Sequence, residues 1–147
     1  MTTTGLHVFD RTLHETNIWL KTLMEKLQTD NREVAYWALR ASLHAVRDRI
    51  GPQNAVHLGA QLPMLIRGIY YEGWHMAATP TRERHKADFL EHVRRELDGR
   101  PDIDPERAVR AAFEVMWSQV DPGEMGKVIE MFPMELRDFW PRLARKE

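Results

Sequence analysis

Apolar residues recur along the chain at three- and four-residue steps rather than in alternation. Phe9, Leu13, Leu20, Leu23, Met24 and Leu27 form one stripe, with Thr16 continuing it between Leu13 and Leu20, and this spacing predicts an amphipathic helix of about five turns. Ala35, Leu39, Ser42, Leu43, Val46 and Ile50 make a second stripe, in which Ser42 reads as a small packing residue. Gly51-Pro52 interrupts the pattern and predicts a short third helix with proline at its first position, where the missing N–H is no loss. Pro63 punctuates again and predicts a fourth helix with Leu62, Ile66 and Ile69 facing inward. Trp74 to Pro80 reads as a linker, with the next helix starting at Thr79-Pro80 or Thr81. No Asn-Gly or Asp-Gly separates alternating runs, and Asp98-Gly99 reads as a helix end. The expected fold class is all-α.

The same pattern occurs twice. Shifted by 70 positions without a gap, Trp19-Leu20 falls on Phe89-Leu90 and Leu27 on Leu97. Ala38, Arg40 and Ala41 fall on Ala108, Arg110 and Ala111, and Ile50-Gly51-Pro52 on Val120-Asp121-Pro122. Leu62-Pro63-Met64 falls on Phe132-Pro133-Met134, Arg67 on Arg137, and Ile69-Tyr70 on Phe139-Trp140. Two tandem repeats, 9–76 and 79–146, are therefore expected. In the second, Asp121-Pro122-Gly123-Glu124 offers a carboxylate N-cap, proline in the first turn and glutamate three residues after the cap. Phe132, Leu136 and Phe139 match the inward positions of the fourth helix. Each unit exposes an apolar face, and a unit this small is marginal alone. The expectation is a single domain over 1–147 in which the units pack about a pseudo-two-fold axis as one helical bundle of about eight helices. Two loosely tethered bundles are the alternative.

Composition narrows the partners. The 43% hydrophobic and 29% charged fractions argue against wholesale disorder. Cysteine is absent, which excludes disulfides, thiolate metal sites and cysteine catalysis. A formal charge of -1 gives no long-range pull toward nucleic acid or an anionic membrane. The start Met1-Thr2-Thr3-Thr4-Gly5 lacks the basic end and apolar run of a signal peptide, and no apolar stretch approaches the ~20 residues that span a bilayer. A cytoplasmic location away from membranes is expected.

One segment is distinctive. His57-Leu58-Gly59-Ala60-Gln61-Leu62-Pro63-Met64-Leu65-Ile66-Arg67-Gly68-Ile69-Tyr70-Tyr71-Glu72-Gly73-Trp74 resembles the signature of the bacterial domain-of-unknown-function family 2267. Phe9-Asp10-Arg11-Thr12-Leu13, Ala38-Leu39-Arg40-Ala41, Leu43 to Arg49 and Pro133-Met134-Glu135-Leu136-Arg137 are similar to it too. The resemblance implies a helical bacterial protein, often of stress-related context. It implies no catalytic residue.

Candidate chemistry is sparse. Glu72-Gly73-Trp74-His75 has the Glu-x-x-His spacing of carboxylate-bridged metal sites, but in one copy beside a glycine. His85 and His92 share a helical face among Arg82, Arg84, Lys86, Arg94 and Arg95, which would repel a cation. No metal and no cofactor are expected. No glycine-rich phosphate loop, nucleophile elbow or zinc-protease helix occurs, so no catalytic residue is assigned. Arg40 with Arg110, and Arg67 with Arg137, are polar residues present in both units. They either converge to grip a carboxylate or phosphate, or pair with local carboxylates and cap helix ends. Tyr70 and Trp140 read as core, whereas Tyr71 and Trp74 are candidates for exposed contact with a ligand or partner. The leading expectation is a non-catalytic helical binding or scaffold module engaging a protein partner or itself. The alternative is a sensor or enzyme holding a small anionic ligand between the repeats.

Overall fold

The computed structural model describes residues 4–144; Met1 to Thr3, on which part of the signal-peptide reading rests, and positions 145 and 146 at the end of the second repeat lie outside them. Among the described residues there is no strand. Seven α-helices follow one another: α1 His7–Leu27, α2 Arg32–Arg49, α3 Pro52–Gly59, α4 Met64–Tyr71, α5 Lys86–Glu96, α6 Pro105–Gln119 and α7 Pro122–Glu130. Three 3-10 turns, Met76–Ala78, Met134–Phe139 and Arg142–Ala144, complete the order.

Local rules set most boundaries. Asn31 accepts from the Glu33 N–H at 2.9 Å and caps α2, and Asp104 accepts from the Arg107 N–H at 3.0 Å and caps α6. Asp121 caps α7 through the Glu124 N–H with Pro122 in the first turn, as its sequence indicates. Gln28 ends α1 in the left-handed region at φ 57°, and Gly51 at φ 89° turns the chain from α2 into α3. An L-side chain at Gly51 would be strained by that backbone alone.

Helices α2 and α6 pack on each other at the centre. α1 lies against both, α5 likewise, and α3 touches α7. Leu23, Leu39, Leu43, Val46, Phe89, Phe113, Leu136 and Trp140 belong to one buried apolar cluster. Its second-half portion is aromatic: Phe113 stacks on Trp140 with centroids 3.8 Å apart, and Phe89 stacks on Phe139 at 5.8 Å. Tyr70 and Trp140 are fully buried, as their positions indicate. Ser42 is buried as well.

Four features depart from the sequence pattern. α5 begins at Lys86, not at Thr79–Thr81, because residues 79–85 run extended along the C-terminal end of α2. There the Thr81 N–H donates to the Asp48 carbonyl at 2.9 Å, and Arg49 Nε donates to the Glu83 carbonyl at 2.8 Å. The fourth element of the second half is a 3-10 turn rather than an α-helix. Pro141 stands where the first half has Tyr71, and proline disfavours helical geometry at the preceding residue. Ile69 is only half-buried, unlike Phe139. Finally, Phe9 and Leu13 are 45% and 38% exposed although they lie on the stripe of α1. At ~1.5 Å per residue α1 is longer than α2, and burial on its inner face starts only at Thr16. Its first turns overhang the core and meet α4, where the Leu65 N–H donates to Thr12 Oγ1 at 2.9 Å.

Candidate functional site

The overhang creates a groove. Phe9, Thr12 and Leu13 of α1 form one wall and Met64, Leu65, Gly68 and Ile69 of α4 the other, with Thr4 and Glu72 also lining it. The cavity measures about 540 Å³ and opens to solvent, within the size range of ligand and peptide sites. Gly68 leaves the backbone of α4 uncovered, since a Cβ there would meet nothing within 4 Å. Met64 and Leu65 are 48% and 40% exposed, and with Phe9 and Leu13 they amount to more clustered apolar surface than scattered residues give.

The aromatic candidates stand behind this groove rather than in it. Tyr71 and Trp74 are half-buried and stacked on one another at 5.6 Å, and Tyr71 lies edge-on to Tyr70 at 5.0 Å. Tyr71 closes over Gly59, where an added methyl group would run into its hydroxyl and approach its Cζ to 2.7 Å. Gly59→Ala is therefore expected to push the Tyr71 ring off Trp74 and to destabilise the protein by about 1–3 kcal/mol, as overpacking does, in chemical denaturation.

Each arginine of the repeated pairs has partners of its own. Arg40 donates to Glu72 Oε1 at 3.1 Å and lies over Trp37 at 5.1 Å. Arg110 bonds Glu106, Asp138 and the Asp138 carbonyl and lies over Phe139 at 5.2 Å. Their guanidinium groups thus turn to different carboxylates. Lys86 shares Asp138 at 2.6 Å, and these two cations hold that carboxyl down at a pKa of about 2. Arg67 donates to the Gly59 and Leu62 carbonyls, and Arg137 to the Phe132 and Glu130 carbonyls. Each ties the fourth element of its half to the frayed end of the third.

A second constellation lies at the seam of α2, α5 and the extended segment 79–85. Its members are separate in sequence, and of their side chains the sequence alone brings forward only His92 as candidate chemistry. His92 is 7% exposed. Its Nε2 lies 3.2 Å from Asp48 Oδ2 and its Nδ1 3.4 Å from Glu83 Oε2. Arg47, 2% exposed, donates from Nε to Asp48 Oδ1 at 2.8 Å and from Nη1 to the Tyr70 and Glu72 carbonyls. His44 Nδ1 lies 2.7 Å from Glu96 Oε1, and its Nε2 2.7 Å from the Ile69 carbonyl. Burial opposes the charge on His92, but the Asp48 and Glu83 carboxylates outweigh it and push its pKa up to about 9. Burial likewise opposes ionisation of Asp48, and hydrogen bonds from His92 and Arg47 more than reverse it, so its pKa is lowered. Glu83 is lowered against burial by His92 and Thr81, and Glu96 mainly by its bond with His44. Asp48, His92 and Glu96 each place one ligand-type atom within 4.8 Å of the others.

Residues 16–139 match the model of a family described as "Uncharacterized conserved protein (DUF2267)". The chain belongs to this family. The match contains the whole ionic seam and the α4 wall of the groove, and it starts at the first buried residue of α1. Thr4, Phe9, Thr12 and Leu13 precede the matched span, so the other groove wall is built outside the stretch this chain shares with DUF2267. No curated protein matches the chain.

Proposed function

We propose that this DUF2267 member is a non-catalytic helical binding module of the bacterial cytoplasm, and that its groove between α1 and α4 receives an amphipathic helix of a protein partner. The observation that carries this reading is the groove itself: an apolar trough with helices for both walls, made by leaving Phe9 and Leu13 of an otherwise buried stripe in solvent. A third helix laid in such a trough packs ridges into grooves as in a bundle, and helix-in-groove recognition needs apolar anchors on one face. A flat surface of a second copy would leave the trough unfilled. For the cytoplasm, the support is the lack of cysteine; among the described residues no helix is long and apolar enough to cross a membrane.

The scaffold behind the groove is, in this reading, one domain made from two copies of a helical unit about a pseudo-two-fold axis. In support, Pro52 and Pro122 open α3 and α7, and Pro63 and Pro133 precede the matching fourth elements. α1 packs on α6 as α5 packs on α2. Arg67 and Arg137 perform the same capping in each half. The second half has no equivalent groove residues: Thr79, Arg82, Glu83, Glu135 and Asp138 stand at the places of Phe9, Thr12, Leu13, Leu65 and Gly68. The trough is then a property of one unit and not a requirement of the fold. An anion gripped between the units by Arg40 and Arg110 has weaker support, because both guanidinium groups already hold carboxylates.

The groove is open to a simple test with an apolar fluorescent dye such as anilinonaphthalene sulfonate. Leu13→Glu and Leu65→Glu are expected to leave stability within about 0.5 kcal/mol, as surface changes do, and to abolish the dye's fluorescence gain. Met134→Glu, at a 76% exposed residue outside the groove, should keep it. Equal dye signal in all three variants would count against an accessible trough.

A further inference from the structure

We propose that Asp48, His92 and Glu96 bind one divalent transition-metal ion at the seam between α2 and α5. This goes beyond the binding reading above and does not depend on it. It also departs from what the sequence suggests, because the three ligands come from two helices and only His92 stands out when the chain is read in order.

Three observations carry it. First, the ligand atoms already lie together, all within 4.8 Å of one another, so an ion would draw them in with small side-chain movements. Second, each ligand is fixed from behind by its own partner. Glu83 Oε2 faces Nδ1 of His92, which directs Nε2 toward Asp48. Arg47 holds Oδ1 of Asp48 and leaves Oδ2 toward the histidine. His44 holds Oε1 of Glu96. Such outer contacts, an ion pair behind His92 and hydrogen bonds behind the carboxylates, orient imidazole and carboxylate ligands in metal sites. Third, three carboxylates, Asp48, Glu83 and Glu96, face the two histidines of the seam, and the proton that His92 gives up on binding offsets part of the charge the ion brings. One imidazole and two carboxylates form a set that suits Zn²⁺, Mn²⁺ or Co²⁺, whereas Mg²⁺ and Ca²⁺ prefer oxygen throughout. Glu96, 27% exposed at its side chain, sits at the solvent edge and marks the entry path. On binding, the ion takes the lone pair of His92 Nε2 and the proton held there leaves to buffer.

The full chain is stripped with a chelator and titrated with Zn²⁺ by calorimetry and with Co²⁺ by visible absorption. The expected result is one equivalent of Zn²⁺ per chain, a Co²⁺ d–d spectrum of low symmetry, and no heat with Mg²⁺. Glu96→Gln and His92→Gln should each weaken Zn²⁺ at least tenfold and remove the Co²⁺ band. His44→Gln, which touches no ion, should weaken it ~10–100-fold through Glu96. Should His92→Gln not fold, Glu96→Gln carries the test, since its half-buried side chain reaches the solvent edge. His85→Ala, altering a 71% exposed imidazole elsewhere, should change nothing. Absence of a Zn²⁺ equivalent in the unaltered protein overturns the proposal, as does retention of full affinity in Glu96→Gln or loss of it in His85→Ala. With any of these three results the seam is an ionic lock and not a metal site.

Discussion

In the presence of a chelator, the protein loses about 3 kcal/mol of stability between pH 6.5 and pH 9. The source is His92, whose pKa rises from the ordinary 6.5 in the unfolded chain to about 9 when folded, and each pKa unit corresponds to about 1.4 kcal/mol. The folded state holds this proton more tightly than the unfolded state. Below pH 6.5 both states are protonated and the full stabilisation is present; it declines as pH rises and is gone above the folded value. Asp48, Glu83 and Glu96 act in the opposite sense. Their lowered values mean that their stabilisation is present above the usual carboxylate range and is lost as pH falls through the folded values. Stability should therefore peak at about pH 5–6.5. Urea unfolding at pH 6 and pH 9 measures the difference, and His92→Gln should flatten the alkaline slope. An unaltered protein equally stable at both values would mean that the Asp48–His92–Glu83 contacts do not form.

Arg47→Ala should destabilise by about 3–5 kcal/mol, the range for removing one partner of a buried ion pair. The change strips Asp48 of one of its two cations and leaves the Tyr70 and Glu72 carbonyls without their donor. In a chain of this size that is a fall of about 10 °C in melting temperature. Arg40→Ala, two turns away on the same helix, should cost no more than about 1 kcal/mol, because its partner Glu72 is 63% exposed and water screens the pair. Guanidinium unfolding of the two variants side by side checks both values. Similar losses for both would show that Arg47 is not the buried tie between α2 and α4.

Apart from His92, these two predictions concern residues that the sequence pattern does not bring forward, and the reason is physical. Helix starts and stops follow from a few neighbouring residues, so Asp121-Pro122 and Gly51-Pro52 announce α7 and α3 directly. The stripes on α1 and α2 likewise announce which faces seek a core. Asp48, however, lies opposite that stripe and Arg47 on its flank, and both look like a solvated face. Asp48 is covered because residues 79–85 fold back over it, and Arg47 because its guanidinium reaches the carbonyls at the end of α4, choices made by non-local contacts such as Thr81 to Asp48, Glu83 to His92 and Arg47 to Tyr70. No spacing in the chain encodes that return. The groove is hidden for the converse reason: Phe9 and Leu13 fit the apolar stripe well, and only the overhang of α1 past its neighbours keeps them in solvent. Gly59 and Tyr71 sit inside the distinctive segment of the sequence, yet their close approach depends on how α3 and α4 cross.

The most direct test of the binding reading is site-specific photo-crosslinking in cells, with p-benzoylphenylalanine at Leu65 in the groove and at Met134 outside it. The account predicts one discrete adduct from Leu65, absent from Met134 and abolished by Leu13→Glu, whose crosslinked peptide carries apolar residues at three- and four-residue steps. No discrete adduct at Leu65, the same adducts at both positions, or a peptide of this chain itself would contradict it.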